Sequence, residues 1–270
     1  MNFNLKKCKV VSIKHRPSPL TMLPFVAYYY YLGENILEYA DSEKDLGVLI
    51  NTAFKFNDHQ EKLLSLANQK FGMLKRTCHF INNSMRGRTL YLSLVRSQFE
   101  HCSPVWRPNC ETSINKFENF QKKCIKWILC EENSSYTRTV YLKKCQNVNI
   151  LPIEYRFNVA DMTLFHKIVY NLIPISIPMY LRRFESSRLR STHLDSLSFE
   201  VNISTEPINY HNLKKSFFFR SHTIWNSLPF EIRNIQDPLK FKTELHKYYW
   251  NKVKTEIGES GEDRSFDDGG

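Results

Sequence analysis

The spacing of apolar residues after residue 56 is the feature that most restricts how this chain can fold. From Asn57 onward, apolar side chains recur every three or four positions, which places them along one face of an α-helix. Asn57 or Asp58 is a suitable N-cap for that helix. The pattern therefore predicts a helix with one buried face, formed by Leu63, Leu64, Ala67, Phe71, Leu74 and Cys78.

The same periodicity predicts further helices along the rest of the chain. A second helix begins at Ser84 and should end before Pro104, and a loop containing Trp106 follows. Pro152 suits the first position of a later helix, and two more are expected over residues 214–227 and from Asp237 onward. A third helix, over about residues 112–130, has a buried face formed by Ile114, Phe117, Gln121, Cys124, Ile125 and Ile128.

The first fifty residues have a different pattern, typical of short strands. β-branched, aromatic and apolar runs occur at Lys9–Ile13, Tyr28–Tyr31 and Leu46–Ile50, and three prolines interrupt the segment between the first two. We expect Tyr28–Tyr31 to form a strand with one ring face buried, and another strand over residues 198–204. The predicted fold class is mainly α (α+β), with short β segments at the N-terminus.

Glycine and cysteine usage excludes several classes of protein. Only eight Gly occur, four of them after residue 257, and neither a G-x-G-x-x-G nor a GK[ST] phosphate loop is present. The seven Cys are odd in number and form no C-x-x-C pair, which argues against a disulfide framework or a zinc ribbon. No metal site is predicted, and a reducing location, cytoplasmic or nuclear, is expected.

A membrane-bound protein is also not expected. The longest apolar run, Met22–Leu32, contains a Pro and four Tyr, and its length is about half of what a transmembrane helix requires.

The net charge indicates an anionic partner. The chain carries +11, and the segment 256–270 contributes six acidic residues and one Arg, so the remainder holds 37 basic and 21 acidic residues, or +16. Cations spaced along helix faces suit phosphate neutralisation. The candidate nucleic-acid-binding residues are Lys70, Lys75, Arg76, Arg86, Arg88, Arg96, Lys116, Lys122, Lys123 and Lys126.

A series of short motifs runs in order through the chain, roughly over residues 2–250. Its members are Asp45-Leu46-Gly47-Val48-Leu49-Ile50, Phe54 with Phe56 and His59, Phe71-Gly72-Met73-Leu74-Lys75-Arg76, Leu90-Tyr91 with Leu94-Val95-Arg96, His101-Cys102-Ser103-Pro104-Val105-Trp106, Gln121-Lys122-Lys123, Leu151-Pro152-Ile153, Trp225-Asn226-Ser227-Leu228-Pro229, and Phe241-Lys242 with Leu245. The series resembles the C-terminal part of jockey-like non-LTR retrotransposon reverse transcriptases.

The resemblance implies a domain organisation and a partner. Residues 1–55 correspond to a palm remnant with a primer-grip-like hairpin at Leu46, Gly47 and Val48. Residues 56–105 correspond to thumb-like helices and 106–255 to a C-terminal helical extension. The acidic, Gly-rich segment 256–270 is expected to be a disordered tail. The implied partner is RNA or an RNA–DNA duplex, together with the missing fingers and palm portion of the polymerase.

The catalytic residues of that family are not recognisable here. Such polymerases hold two Mg²⁺ on palm aspartates, including those of a Tyr-x-Asp-Asp turn. Tyr39-Ala40-Asp41-Ser42 lacks the second Asp and lies directly before the primer-grip-like segment, so we assign Asp41 to a connector. The chain alone is therefore expected to be an inactive fragment of an RNA-directed DNA polymerase. Magnesium is implied only for the full-length enzyme.

Three other interpretations stay open at this point. The chain could be a helical protein-interaction module without nucleic-acid binding, an enzyme with unrecognised chemistry, or a decayed gene product. No carboxylate pair, Gly-rich loop or catalytic triad stands out in the sequence, which disfavours the enzyme.

Overall fold

A computed structural model describes residues 8–13, 28–78, 84–131, 134–184, 196–201 and 216–262. Of these residues, 60% are helical and 11% are in strands, so the predicted mainly α class is confirmed. The chain divides into two compact units, residues 1–66 and 67–270. Among the described residues, no helix is both long enough and apolar enough to cross a membrane.

The strands of the first unit are short and pair locally. β1 (Lys9–Val10) pairs in parallel with β4 (Glu38–Tyr39), and β2 (Tyr31–Leu32) forms a hairpin with β3 (Asn35–Ile36). β5 (Ser42–Asp45) and β6 (Val48–Asn51) form a longer antiparallel hairpin. Leu46 and Gly47 are the two turn residues between them, with φ of 44° and 94°.

The helices follow, and most of them belong to the second unit. In order they are α1 (Asn57–Thr77), α2 (Ser84–Leu90), a π-helical segment (Tyr91–Arg96), α3 (Ser97–Glu100), α4 (Ser103–Trp106), α5 (Glu111–Ile128), α6 (Arg138–Asn147), α7 (Ile153–Val169), α8 (Phe217–Ser227), α9 (Phe230–Arg233) and α10 (Pro238–Glu262). A hairpin of β7 (Leu181–Arg183) and β8 (Phe199–Val201) lies between α7 and α8 in the chain.

Aromatic rings fill the core around α5. Phe71 packs edge-on against Phe120, and Phe120 packs in the same way against Phe99, with ring centroids 6.0 and 5.5 Å apart. Trp106 is fully buried against Phe117, and its indole N–H donates to the His101 carbonyl at 2.7 Å. The predicted buried face of α5 is largely confirmed, since Phe117, Gln121, Cys124, Ile125 and Ile128 are all buried.

A second aromatic cluster joins α7, α8 and α10. Trp225 is fully buried next to Phe165 and Phe241, and Phe241 stacks on His166 with ring centroids 4.1 Å apart. The indole N–H of Trp225 donates to the Leu197 carbonyl at 2.8 Å. These two clusters account for the high aromatic content of the helical unit.

Several local predictions differ from the structure. Trp106 lies in the short helix α4 rather than in a loop, because Pro104 starts a new helical turn there. Tyr28, Tyr29, Tyr30 and Tyr31 are each at least 52% exposed, so the prediction that one ring face of this segment is buried is wrong. Helix α6 was not predicted at all.

The C-terminal helix is also longer than the sequence indicated. It continues to Glu262, so residues 256–262 of the predicted tail are helical. Glu256 accepts hydrogen bonds there from Arg138, at 3.2 Å, and from the Tyr155 hydroxyl. Residues 263–270 of the tail and residues 202–204 of the predicted strand lie outside the described residues.

Candidate nucleic-acid interface

Helix α5 separates its lysines into two sets. Lys116 and Lys123 are exposed on the side opposite the buried stripe, seven residues and so about 10 Å apart along the axis. Asn119, which is uncharged, is exposed between them. The pair is therefore accessible to an anion that approaches from solvent.

Lys122 and Lys126 lie on a different side of α5 and contact tyrosines. The ammonium of Lys122 is 5.3 Å from the ring centre of Tyr141, and that of Lys126 is 5.0 Å from Tyr136. Lys126 also donates a hydrogen bond to the Ser134 carbonyl. Both side chains are half-buried, so their contacts within the protein compete with any phosphate.

Helices α1 and α2 bring other candidate cations close to the C-terminal end of α5. Phe71 of α1 packs edge-on against Trp127 of α5, with ring centroids 5.7 Å apart. Gly87 of α2 lies so close that an added β-carbon would be 3.7 Å from the Trp127 ring. Three helices that carry candidate cations thus converge at Trp127.

Each of the three converging helices also carries an exposed cation within one turn of its contact at Trp127. Lys75 is one turn after Phe71, Arg86 is next to Gly87, and Lys123 is one turn before Trp127. Arg76 is exposed beside Lys75, while Lys70, one position before Phe71, is half-buried. We name Lys75, Arg86 and Lys123 the convergence cations.

Arg88 and Arg96 are set apart from this exposed group. Arg96 is 7% exposed, and its Nε donates to Glu100 at 3.2 Å. Arg88 is half-buried, and its Nη2 donates to the Asn149 carbonyl at 3.3 Å. Both arginines line a cleft rather than an outer helix face.

That cleft is lined by residues whose proximity was not predicted from the sequence. A cavity of about 420 Å³ is bordered by Arg88, Arg96, Glu100, Asn149, Leu151, Arg156, His246 and Trp250, with Leu92. Most of its members come from α2, the π segment, α3, α7 and α10. No local spacing in the sequence brings them together.

Glu100 forms ion pairs with two arginines of the cleft. One of its oxygens, Oε1, accepts from Arg156 Nε at 2.6 Å and from Arg96 Nε at 3.2 Å. Burial alone raises the pKa of Glu100, but the two guanidinium groups outweigh it and hold the pKa below the ordinary value. For Arg96, burial dominates and lowers the pKa of the guanidinium.

His246 is neutral in this environment. Burial and then the charge of Arg156 lower its pKa to about 4. Its Nε2 lies 3.0 Å from Arg156 Nη1, and a guanidinium is always a donor, so Nε2 accepts and Nδ1 carries the proton.

The segment with Leu46, Gly47 and Val48 belongs to the β5–β6 hairpin of the first unit. Leu46 is 84% exposed at the tip, while Val48 is 5% exposed. Asp41 lies between β4 and β5, in the position of a connector.

The described residues hold no group of three or more His, Cys, Asp or Glu side chains placed to bind a metal ion. All seven Cys fall within the described residues, and none of them forms a disulfide bond.

Comparison with known proteins adds no relative. No family model matches the chain, and neither the curated proteins nor the solved structures contain a match.

Proposed function

We propose that this chain is the C-terminal part of a retrotransposon RNA-directed DNA polymerase and that it binds the template–primer duplex without sequence preference. The observation that carries the proposal is the convergence of three cation-bearing helices at Trp127. Helices that present exposed cations from several directions can contact successive phosphates of a duplex backbone. The motif series supports the polymerase assignment, and the +16 charge outside the last fifteen residues supports an anionic partner.

The remaining parts of the proposal follow the same assignment. The hairpin tip at Leu46, Gly47 and Val48 would contact the primer end, and the fingers and palm would come from the rest of the polymerase. The chain holds no Tyr-x-Asp-Asp sequence, so we expect no polymerase activity from it alone. The seven Cys form no disulfide in the structure, which fits an intracellular location, cytoplasmic or nuclear.

The test compares two variants that lose the same charge. In the first, Lys75, Arg86 and Lys123 are replaced by Gln. In the control, Gln replaces Lys240, Lys247 and Lys254, three exposed lysines spaced seven residues apart on α10. Replacing Lys122 or Lys126 is a poorer test, because both side chains are half-buried and lie 5.3 and 5.0 Å from tyrosine rings. Lys75 is exposed, and its ammonium lies farther, 6.0 Å, from the ring centre of Phe71.

Labelled RNA–DNA duplex is titrated with each protein at several salt concentrations. We expect micromolar or weaker binding by the wild type. Loss of the convergence cations should weaken binding to all sequences alike. Each lost phosphate contact should also reduce, by about one unit, the slope of the logarithm of the binding constant against the logarithm of the salt concentration. The proposal fails if the convergence variant and the α10 control bind equally well.

One observation favours the protein-interaction module as the alternative. Tyr28, Tyr29, Tyr30 and Tyr31 are exposed together in the first unit, and Tyr is enriched at protein interfaces. If that surface is the functional one, duplex binding should be absent or indifferent to salt.

A further inference from the structure

The cleft between α2, α7 and α10 has an excess of positive charge that its own lining does not balance. Arg88, Arg96 and Arg156 border it, whereas Glu100 is the one carboxylate in its lining. His246 is neutral, so the lining carries a net charge of two positive units. A smaller cavity of about 250 Å³ adjoins it through Arg96, Glu100 and Arg156, and adds Lys167 and Lys242 to the border.

A hydrogen-bond donor of the cleft lining also lacks an acceptor among the described residues. Nε of Arg88 is buried and has no acceptor among the residues that the structure describes. A buried guanidinium N–H without an acceptor is costly, so Arg88 gains a hydrogen bond if its side chain turns toward an anion in the cleft that it borders. Nε of Arg96 and Nε of Arg156 donate to the same oxygen of Glu100, and Arg156 Nη1 also donates to His246 Nε2, so a single carboxylate serves two guanidinium groups in this cleft.

An aromatic wall completes the site. Trp250 borders the same cavity and is half-buried, in contrast to the fully buried Trp106 and Trp225. A partly exposed indole beside arginines offers a stacking surface for a nucleobase. The volume of about 420 Å³ lies in the range of small-molecule sites.

We propose that this cleft binds a nucleotide, with its phosphate held by Arg88, Arg96 and Arg156 and its base placed against Trp250. Guanidinium groups bind phosphate through paired N–H donors, which matches the three arginines. The nucleotide is either free in solution or part of a single strand. The site does not depend on the proposed duplex binding, because the convergence cations do not border it.

The experiment measures binding of adenosine 5′-monophosphate to the full chain by calorimetry, with adenosine and inorganic phosphate as comparison ligands. We expect saturable binding of the monophosphate, weaker binding of phosphate, and at least tenfold weaker binding of adenosine. Arg88→Gln removes the buried donor that has no acceptor, and should weaken monophosphate binding tenfold or more. Lys240→Gln is the charge-matched control and should leave it unchanged.

A second readout is the NMR titration of His246, whose ring faces Arg156, Lys242, Arg96 and Glu100. A bound phosphate adds negative charge next to the imidazole, so the pKa of His246 should rise from about 4 when the monophosphate is present. The proposal is wrong if adenosine binds as tightly as the monophosphate, if Arg88→Gln binds like the wild type, or if the titration of His246 does not move.

Single-stranded oligonucleotides identify the source of the phosphate. If a 5′-phosphorylated strand binds more tightly than the same strand with a 5′-hydroxyl, the cleft binds the phosphate at a strand end. If both strands bind tightly and with equal affinity, the cleft binds a phosphate of the backbone. Monophosphate that binds better than both indicates a free nucleotide. The variant without the convergence cations should bind the monophosphate normally, which separates failure of this site from failure of duplex binding.

Discussion

At the scale of single residues, Asp161 forms buried ion pairs with two arginines in the second unit. Its carboxylate is completely buried and accepts from Arg107 Nη1 at 2.7 Å and from Arg220 Nε at 2.9 Å. Arg220 also donates to the Pro104 carbonyl, so α4, α7 and α8 meet at this contact.

Asp161→Ala should lower the free energy of unfolding by about 3–5 kcal/mol, because it leaves two guanidinium groups without their buried carboxylate. Urea denaturation measures the change, with Glu231→Ala, on an exposed carboxylate, as the control. A loss under about 1 kcal/mol would contradict this role, since that is the size of a surface ion pair.

The rate at which Cys110 is alkylated should depend on pH near neutrality. Its Sγ lies 3.0 Å from Ser113 Oγ and 3.4 Å from Thr112 Oγ1, and these hydroxyls lower the thiol pKa to about 7. The thiolate is the reactive form, so alkylation of the exposed Cys110 should accelerate as pH rises through about 7.

Ser113→Ala removes the largest cause of the shift and should move this profile to higher pH. The rate of iodoacetamide labelling at Cys110, followed by peptide mass spectrometry, measures both proteins. Identical profiles would show that the Ser113 hydroxyl does not stabilise the thiolate.

At the scale of elements, the β5–β6 hairpin contains a strained turn. Both central residues of a tight two-residue turn of this kind need positive φ, which Gly accepts and Leu does not. Leu46 adopts φ of 44° and is 84% exposed, so burial of its side chain does not offset the backbone strain.

Leu46→Asn should therefore raise the free energy of unfolding of this hairpin by about 1 kcal/mol. Hydrogen exchange of the strand amides measures it, with Leu66→Asn, at an exposed helical position, as a comparison that should not stabilise. Exchange that is unchanged or faster in Leu46→Asn would contradict the strain argument. If Leu46→Asn is more stable but binds duplex more weakly than the wild type, the Leu46 side chain contributes to duplex binding.

The elements that the sequence predicted well have long, regular apolar faces. The buried positions Ala67, Phe71 and Leu74 of α1 and the face of α5 were correctly predicted. Helix α6 was missed because its buried positions, Tyr141, Leu142 and Cys145, are few and surrounded by polar residues. Gln121 was placed correctly on the buried face of α5, but its hydrogen bonds to Tyr91, Tyr141 and the Leu151 carbonyl depend on three distant segments.

At the scale of the whole molecule, the candidate sites differ in how far they could be predicted. The exposed cations of α1, α2 and α5 were visible as charges on helix faces, although their convergence at Trp127 depends on packing. The cleft was not visible, because Arg88, Arg156 and His246 are more than sixty residues apart in the chain. Arg96 was predicted as a phosphate contact on an outer face, and the π-helical segment instead turns it inward, next to Glu100.

The salt dependence of duplex binding distinguishes recognition of the phosphate backbone from recognition of the bases. Wild-type protein is titrated with two RNA–DNA duplexes of unrelated sequence, and the logarithm of the binding constant is plotted against the logarithm of salt concentration. Because phosphate contacts release counterions, we predict two steep lines of equal slope and similar affinity. Binding that is indifferent to salt, or that strongly prefers one sequence, would contradict the account.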